Sequence, residues 1–266
     1  MMLDSKSAGE SEMGKSVLQV RVPILYYHRV DEDVSPSKGV TPRAFAAQME
    51  YLRRKKYSSI LFDDLADYFR TGRPLPTRPI IISFDDGYLD NFSQAFPILK
   101  QCGFTATIFL VSDYIGKKSD WEGCAEKDVV PLMTREHISL MMKDGFHFGG
   151  HGRIHRNLVD LPEEDARREV EGGRKELEDL LQRPVRSFAY PFGNFNERVA
   201  EIVRAAGFAS ARTIHTDNTH TREDLYRLKC VKVNGRIPMY KFKYYLTGFY
   251  HLETIWHARR KKERIG

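Results

Sequence analysis

The sequence is poor in cysteine, and the three it has, Cys102, Cys124 and Cys230, form no Cys-x-x-Cys pair. An odd number of scattered thiols argues against a disulfide-stapled scaffold and a cysteine-based zinc module. It is read here as reduced thiols in a cytoplasmic compartment. Long apolar runs are missing too: nothing approaches the roughly 20 residues that span a bilayer. Residues 1–16 are polar, with Asp4, Glu10 and Glu12, and lack the apolar segment of a signal peptide. Residues 1–15 are expected to be a disordered tail. There is no tandem repeat and no large excess of one charge. A net charge of +6 is compatible with nucleic acid, anionic lipid or an anionic polymer and diagnostic of none. With no aromatic-basic face or known motif, nucleic acid is not expected as a partner.

What is present is enough apolar residue (41% of 266) for one sizeable domain rather than two. The chain is organised around Pro79-Ile80-Ile81-Ile82-Ser83-Phe84-Asp85-Asp86-Gly87-Tyr88. The β-branched run reads as a strand buried on both faces, as in a parallel sheet. It stops at two carboxylates and a glycine, and residues 88–100 follow with helical apolar spacing (Leu89, Phe92, Phe96, Leu99). The plain reading has one Asp capping that helix and the other in water. Strand–helix alternation continues along the chain. Strands are expected at 20–27, 57–61, 105–111, 146–149, 187–190, 209–214 and 228–233. Helices are expected from Thr41-Pro42, at 63–69, 134–144, 162–181 and 196–206, and a long irregular loop at 112–133 carries Trp121. About seven such units imply a parallel sheet, open or closed into a barrel.

The unusual residues fall just after predicted strands: His28, Asp85-Asp86, His151-Gly-Arg-Ile-His155 and Pro191-Phe192-Gly193. In a barrel these positions share one rim. His151 and His155 have a spacing that aims two imidazoles at one ion, and a carboxylate on the same rim supplies a third ligand. Two His and one Asp with an open position is a catalytic Zn²⁺-type set, and Co²⁺, Ni²⁺ or Fe²⁺ would also suit it. Amide hydrolysis needs a nucleophile, a base, an oxyanion site and an acid, and this rim has residue types for each.

Three of these stretches resemble the motifs of one family. Ser83-Phe84-Asp85-Asp86-Gly87 is similar to the first motif of the polysaccharide deacetylases (carbohydrate esterase family four). Gly150-His151-Gly152-Arg153-Ile154-His155 resembles the second, and Phe188-Ala189-Tyr190-Pro191-Phe192-Gly193 resembles the third. The resemblance implies a distorted (β/α)7 barrel. It implies Asp85 as general base, Asp86, His151 and His155 as metal ligands, and the Phe192 backbone N–H in the oxyanion hole, with Tyr190 and Pro191 beside it. An arginine that steadies the base in many members is replaced by Ala189, and Arg186 and Arg29 are the substitutes considered. The C-terminal leucine–histidine motif is missing. Leu25-Tyr26-Tyr27-His28-Arg29-Val30 instead resembles the N-terminal motif of the permuted branch, which includes bacterial poly-N-acetylglucosamine deacetylases and gives His28 the acid role.

The expectation is thus a metal-dependent hydrolase that removes N-acetyl groups from an N-acetylated glycan or glycolipid, as in exopolysaccharide modification. Its catalytic domain would span 16–239. The alternatives are a deformylase or other amidohydrolase on a lipid-linked sugar, an O-acetyl esterase, or a non-catalytic glycan binder on the same scaffold. Trp121 and Tyr190 are candidate platforms for sugar rings. In residues 240–266, Phe242, Tyr245, Phe249, Leu252 and Trp256 have helical spacing, and Arg259-Arg260-Lys261-Lys262 follow. The plainer and preferred reading is a terminal helix packed on the barrel. The sharper one is peripheral contact with an anionic membrane, at its inner face.

Overall fold

The computed structural model describes residues 18–263; the tail expected at residues 1–15 lies outside them. Seven parallel strands form the centre: β1 (Ile24–Tyr27), β2 (Pro79–Phe84), β3 (Thr107–Leu110), β4 (His147–Gly150), β5 (Ser187–Ala189), β6 (Ser210–Arg212) and β7 (Val231–Lys232). Their spatial order is β6-β5-β4-β3-β2-β1-β7, and Ser58–Ser59 pairs with the start of β2. The two ends of this sheet meet. Just ahead of β7, the Leu228 N–H donates to the Ala211 carbonyl at 2.9 Å, and the Leu228 carbonyl accepts from the Thr213 N–H at 3.0 Å. The curled sheet with helices around it is the distorted (β/α)7 barrel that the motifs implied.

The helices are α1 (Pro42–Arg54), α2 (Phe62–Thr71), α3 (Phe96–Cys102), α4 (Arg135–Lys143), α5 (Glu163–Arg167), α6 (Gly173–Leu181), α7 (Glu197–Ala205), α8 (Met239–Tyr245) and α9 (Gly248–Glu263). Start signals act as the sequence indicates: the Thr41 hydroxyl accepts from the Ala44 N–H and the Asn196 side-chain Oδ1 from the Val199 N–H. Alternation along β2 divides the core. Ile80, Ile82 and Phe84 pack with the outer helices, while Ile81 joins Ile24, Tyr26 and Phe109 inside the barrel. Phe62, Leu65 and Phe69 of α2 belong to the inner cluster, with the Phe62 and Phe109 rings 5.3 Å apart. So α2 floors the barrel, and the opposite rim, where β1, β2, β4 and β5 end, is left for chemistry.

Several sequence expectations are corrected. The single strand expected at 20–27 is broken: Gln19–Arg21 instead pairs antiparallel with Thr219–Thr221. Pro23 intervenes and has no N–H to continue a ladder. The helix expected over 88–100 opens as a π turn (Asn91–Ala95) ahead of α3. Pro97, which cannot donate, follows directly. The helix expected over 162–181 carries a second π turn, Arg168–Gly172, between α5 and α6. The terminal helix expected within 240–266 is two helices. Asn218 Nδ2 donates to the Tyr245 and Thr247 carbonyls (2.9 and 2.8 Å), satisfying groups that the break frees. Its five apolar residues do not share one face: Phe242 is buried, whereas Phe249 and Leu252 are 72% and 61% exposed. Leu246 and Tyr250 pack into the main core beside Phe242. Among the described residues, no helix is long and apolar enough to cross a membrane.

Candidate active site

The β2 strand delivers Asp85 and Asp86 to the rim through a tight turn. Asp86 and Gly87 both have φ of +73°, a left-handed conformation that Asp tolerates and Gly adopts freely. A Cβ on Gly87 would also lie 2.6 Å from Leu110. The Met133 N–H donates to the Gly87 carbonyl at 2.9 Å, so the long loop at 112–133 holds this turn in place. From β4, His151 is held twice. Its N–H donates to the Leu110 carbonyl, and its Nδ1 lies 2.7 Å from the Ala189 carbonyl of β5. That contact places the ring proton on Nδ1 and leaves Nε2 as a lone pair facing the cavity.

Asp86, His151 and His155 converge. Each offers one ligand atom, and these atoms lie within 4.8 Å of one another, all from buried residues. Asp86 Oδ1 is 3.4 Å from His151 Nε2 and 3.3 Å from His155 Nε2, yet it is buried with no hydrogen-bond partner. A buried carboxylate oxygen facing two imidazole nitrogens lacks a positive charge between them. A divalent cation fits that gap, and so does a proton. Burial disfavours charge on His151, but the carboxylates of Asp86 and Asp85 and the Ala189 carbonyl together outweigh this and raise its pKa. Burial lowers that of His155 to about 4, so this ring is neutral at neutral pH. The donor set suits Zn²⁺ and related ions.

Asp85 points elsewhere. It forms an ion pair with Arg212 of β6, and its other oxygen is 3.9 Å from His28 Nε2. Burial would raise the Asp85 pKa, but Arg212, His151 and His28 together lower it. Burial lowers the His28 pKa against the pull of Asp85, so His28 rests neutral near pH 7. His28, Asp85, Asp86, His151 and His155 line one cavity of about 390 Å³, together with Trp121, Tyr190 and Phe192.

The aromatic candidates differ in access. Phe192, at φ +59°, is 50% exposed with its ring 4.7 Å from that of His155. Trp121 is buried, with its ring 4.7 Å from His155 and 5.3 Å from Tyr114. Tyr190 is 1% exposed and its hydroxyl donates to the Tyr226 carbonyl, so it offers no ring face to a sugar. Pro191 is buried at the start of the same turn.

Arg212 was missed in the sequence. Neither substitute considered for the absent arginine reaches Asp85: Arg186 pairs with Asp63 and Asp67 of α2, and Arg29 with Asp31 and Asp90. Arg212 lies inside the barrel under the Asp85 carboxylate, its guanidinium 4.5 Å from the Tyr26 ring centre and 5.2 Å from that of Phe109. The available signal was a lone charge ending a strand of small residues, Ala209-Ser210-Ala211. Removing one member of such a buried pair strands the other. Arg212→Met should therefore cost about 3–5 kcal/mol of folding stability. The double variant Arg212→Met/Asp85→Asn should recover much of it, and urea unfolding checks both.

Comparisons with known proteins bear on the family and the fold. The family model described as polysaccharide deacetylase matches residues 72–211, more than half of the chain. A Bacillus subtilis (strain 168) protein, YxkH, provisionally named a polysaccharide deacetylase, is 24% identical over 234 residues, covering 88% of this chain and 79% of the relative. A poly-beta-1,6-N-acetyl-D-glucosamine N-deacetylase from Staphylococcus epidermidis is 22% identical over 205 residues, covering 74% and 68%. Among solved structures, IcaB from Ammonifex degensii superposes with a TM-score of 0.71 at 25% identity, covering 85% of this chain and 95% of that one.

Proposed function

The chain belongs to the polysaccharide deacetylase family, and from that premise we propose that it is a metal-dependent N-deacetylase acting on N-acetylhexosamine units of a glycan. The observation that carries this reading is the division between adjacent carboxylates. Asp86 faces two imidazole nitrogens, and Asp85 faces an arginine and a third histidine. A cation held by Asp86, His151 and His155 would supply Lewis acidity, lowering the pKa of water from about 15.7 towards about 7. Asp85, held ionised by Arg212, takes the proton from the attacking water. The Phe192 backbone N–H stabilises the oxyanion. His28 Nε2 is 3.9 Å from the Asp85 carboxylate; on closing to hydrogen-bond distance the neutral resting His28 takes the collected proton and protonates the leaving amine. Exposed Phe192, rather than buried Tyr190, is the platform for a sugar ring, with Trp121 walling the cavity behind His155.

The S. epidermidis relative, named for poly-beta-1,6-N-acetyl-D-glucosamine, makes that polymer the first substrate to try. The test is metal analysis of the purified protein with acetate release from poly-N-acetylglucosamine fragments and chito-oligosaccharides. Bound metal with release from an N-acetylated oligomer supports the reading. Release only from O-acetyl esters would make the protein an esterase instead.

Cys102, Cys124 and Cys230 are all unpaired, which supports a reducing, cytoplasmic compartment. Peripheral membrane contact would run through α9, where Phe249 and Leu252 stand exposed ahead of the basic run at 259–262. Truncation is a poor test, because it would also remove buried Phe242. The double variant Phe249→Ser/Leu252→Ser should sediment less with phosphatidylglycerol-containing vesicles and keep its turnover on a soluble oligosaccharide. Equal sedimentation of both proteins removes α9 as the contact.

A further inference from the structure

Metal-ligating histidines are ordinarily aimed by a hydrogen bond at their second ring nitrogen. His151 has one, to the Ala189 carbonyl. His155 does not: its Nδ1 is buried without a partner, and its backbone sits at φ +61°. The ring therefore depends on the loop that carries it, and two of that loop's amides converge on one carboxylate. Glu169 Oε2 accepts from the N–H of Arg153 at 2.9 Å and from that of Ile154 at 3.0 Å. These are consecutive amides between the two histidines.

Glu169 is 7% exposed and lies in the π turn between α5 and α6. A π turn adds a residue to the helical repeat and shifts which side chains face inward. The helix also approaches the loop closely: a Cβ on Gly173 would lie 3.2 Å from the Gly152 carbonyl carbon. On the loop's other side, the Ser112 and Asp113 N–H groups donate to the Gly152 and Arg153 carbonyls. With its backbone donors drawn to one carboxylate and its acceptors to the strand end after β3, the loop has little freedom to move His155.

We infer that Glu169 is a positioning residue that sets the cation affinity of the Asp86–His151–His155 site by fixing the backbone beneath His155. The inference rests on reading that cluster as a metal site. Glu169 touches neither the cluster's ligand atoms nor the Asp85–His28 pair, so it acts only through the loop. What the loop needs is an oxygen acceptor at that point, which glutamine also provides.

The test titrates metal-free wild type, Glu169→Ala, Glu169→Gln and His155→Ala with Co²⁺ and with Zn²⁺ against a competing chelator. Thermal melting of each metal-free protein is measured in parallel. Glu169→Ala should bind roughly 10- to 100-fold more weakly, while Glu169→Gln stays within a few-fold of wild type. If the alanine variant does not fold, Glu169→Asp, whose carboxylate is drawn back by one methylene, should show the weakening. Wild-type affinity in a folded Ala or Asp variant overturns the proposal. So does a lower melting temperature with unchanged affinity, which would make Glu169 merely structural. If wild type binds no ion, or His155→Ala binds as tightly as wild type, the metal reading of the cluster fails and this inference falls with it.

Discussion

Asp85→Asn should keep the bound cation and lose roughly two to four decades of turnover, the usual contribution of a positioned base. Asp86→Ala, His151→Ala and His155→Ala should each lose the cation itself. The contrast follows from where the two carboxylates point: Asp86 Oδ1 lies within 3.4 Å of both imidazole Nε2 atoms, whereas Asp85 is tied to Arg212 and faces His28. Asparagine keeps the shape of Asp85 but cannot accept the water's proton as a carboxylate does. It also leaves Arg212 without its counter-charge, so melting curves must accompany the kinetics to separate lost chemistry from lost stability. Near-normal turnover in a folded, metal-loaded Asp85→Asn variant would end the base assignment. Retention of stoichiometric metal in all three ligand variants would end the ligand assignment.

His28→Ala should lose roughly two or more decades of N-deacetylation and keep much of its hydrolysis of an activated acetyl ester. An unprotonated amine is a very poor leaving group, so the tetrahedral intermediate reverts unless an acid donates. A phenolate departs unaided. His28 is placed for donation by the end of β1, on the rim that carries the ligand cluster, with Nε2 3.9 Å from the Asp85 carboxylate. The unperturbed imidazole pKa of about 6.5 would by itself suit a standing acid at neutral pH. Burial pushes His28 below that, so the proton has to arrive during the reaction, and Asp85 is the neighbour that has just acquired one. Equal losses on amide and ester would remove the acid role. Loss of metal would bring His28 into the ligand set.

The sequence carried the fold class because a parallel barrel is written locally. The apolar run at Ile80-Ile81-Ile82 declares a strand buried on both faces, and Thr41-Pro42 and Asn196 declare helix starts. It carried the candidate site to the same extent, because Asp85-Asp86 and His151 each follow a strand directly and His155 stands four residues beyond His151. Thr219–Thr221 was not legible, since a polar Thr-His-Thr segment lacks the apolar alternation by which strands are recognised. The break between α8 and α9 was not legible either. It is stabilised by Asn218, which is distant in sequence and caps the freed carbonyls.

Which residue types stand at the strand ends, and in what order, is thus a local property of the chain. Which of them meet depends on how the barrel closes. Arg212 reaches Asp85 across 127 positions of chain, and Glu169 reaches the His155 loop from a π turn in the next helix. Neither pairing can be read from local sequence, although Arg212 itself stands out as a lone charge at a strand end. A buried charge is tolerated where barrel closure supplies its partner, and closure depends on the register of every strand at once.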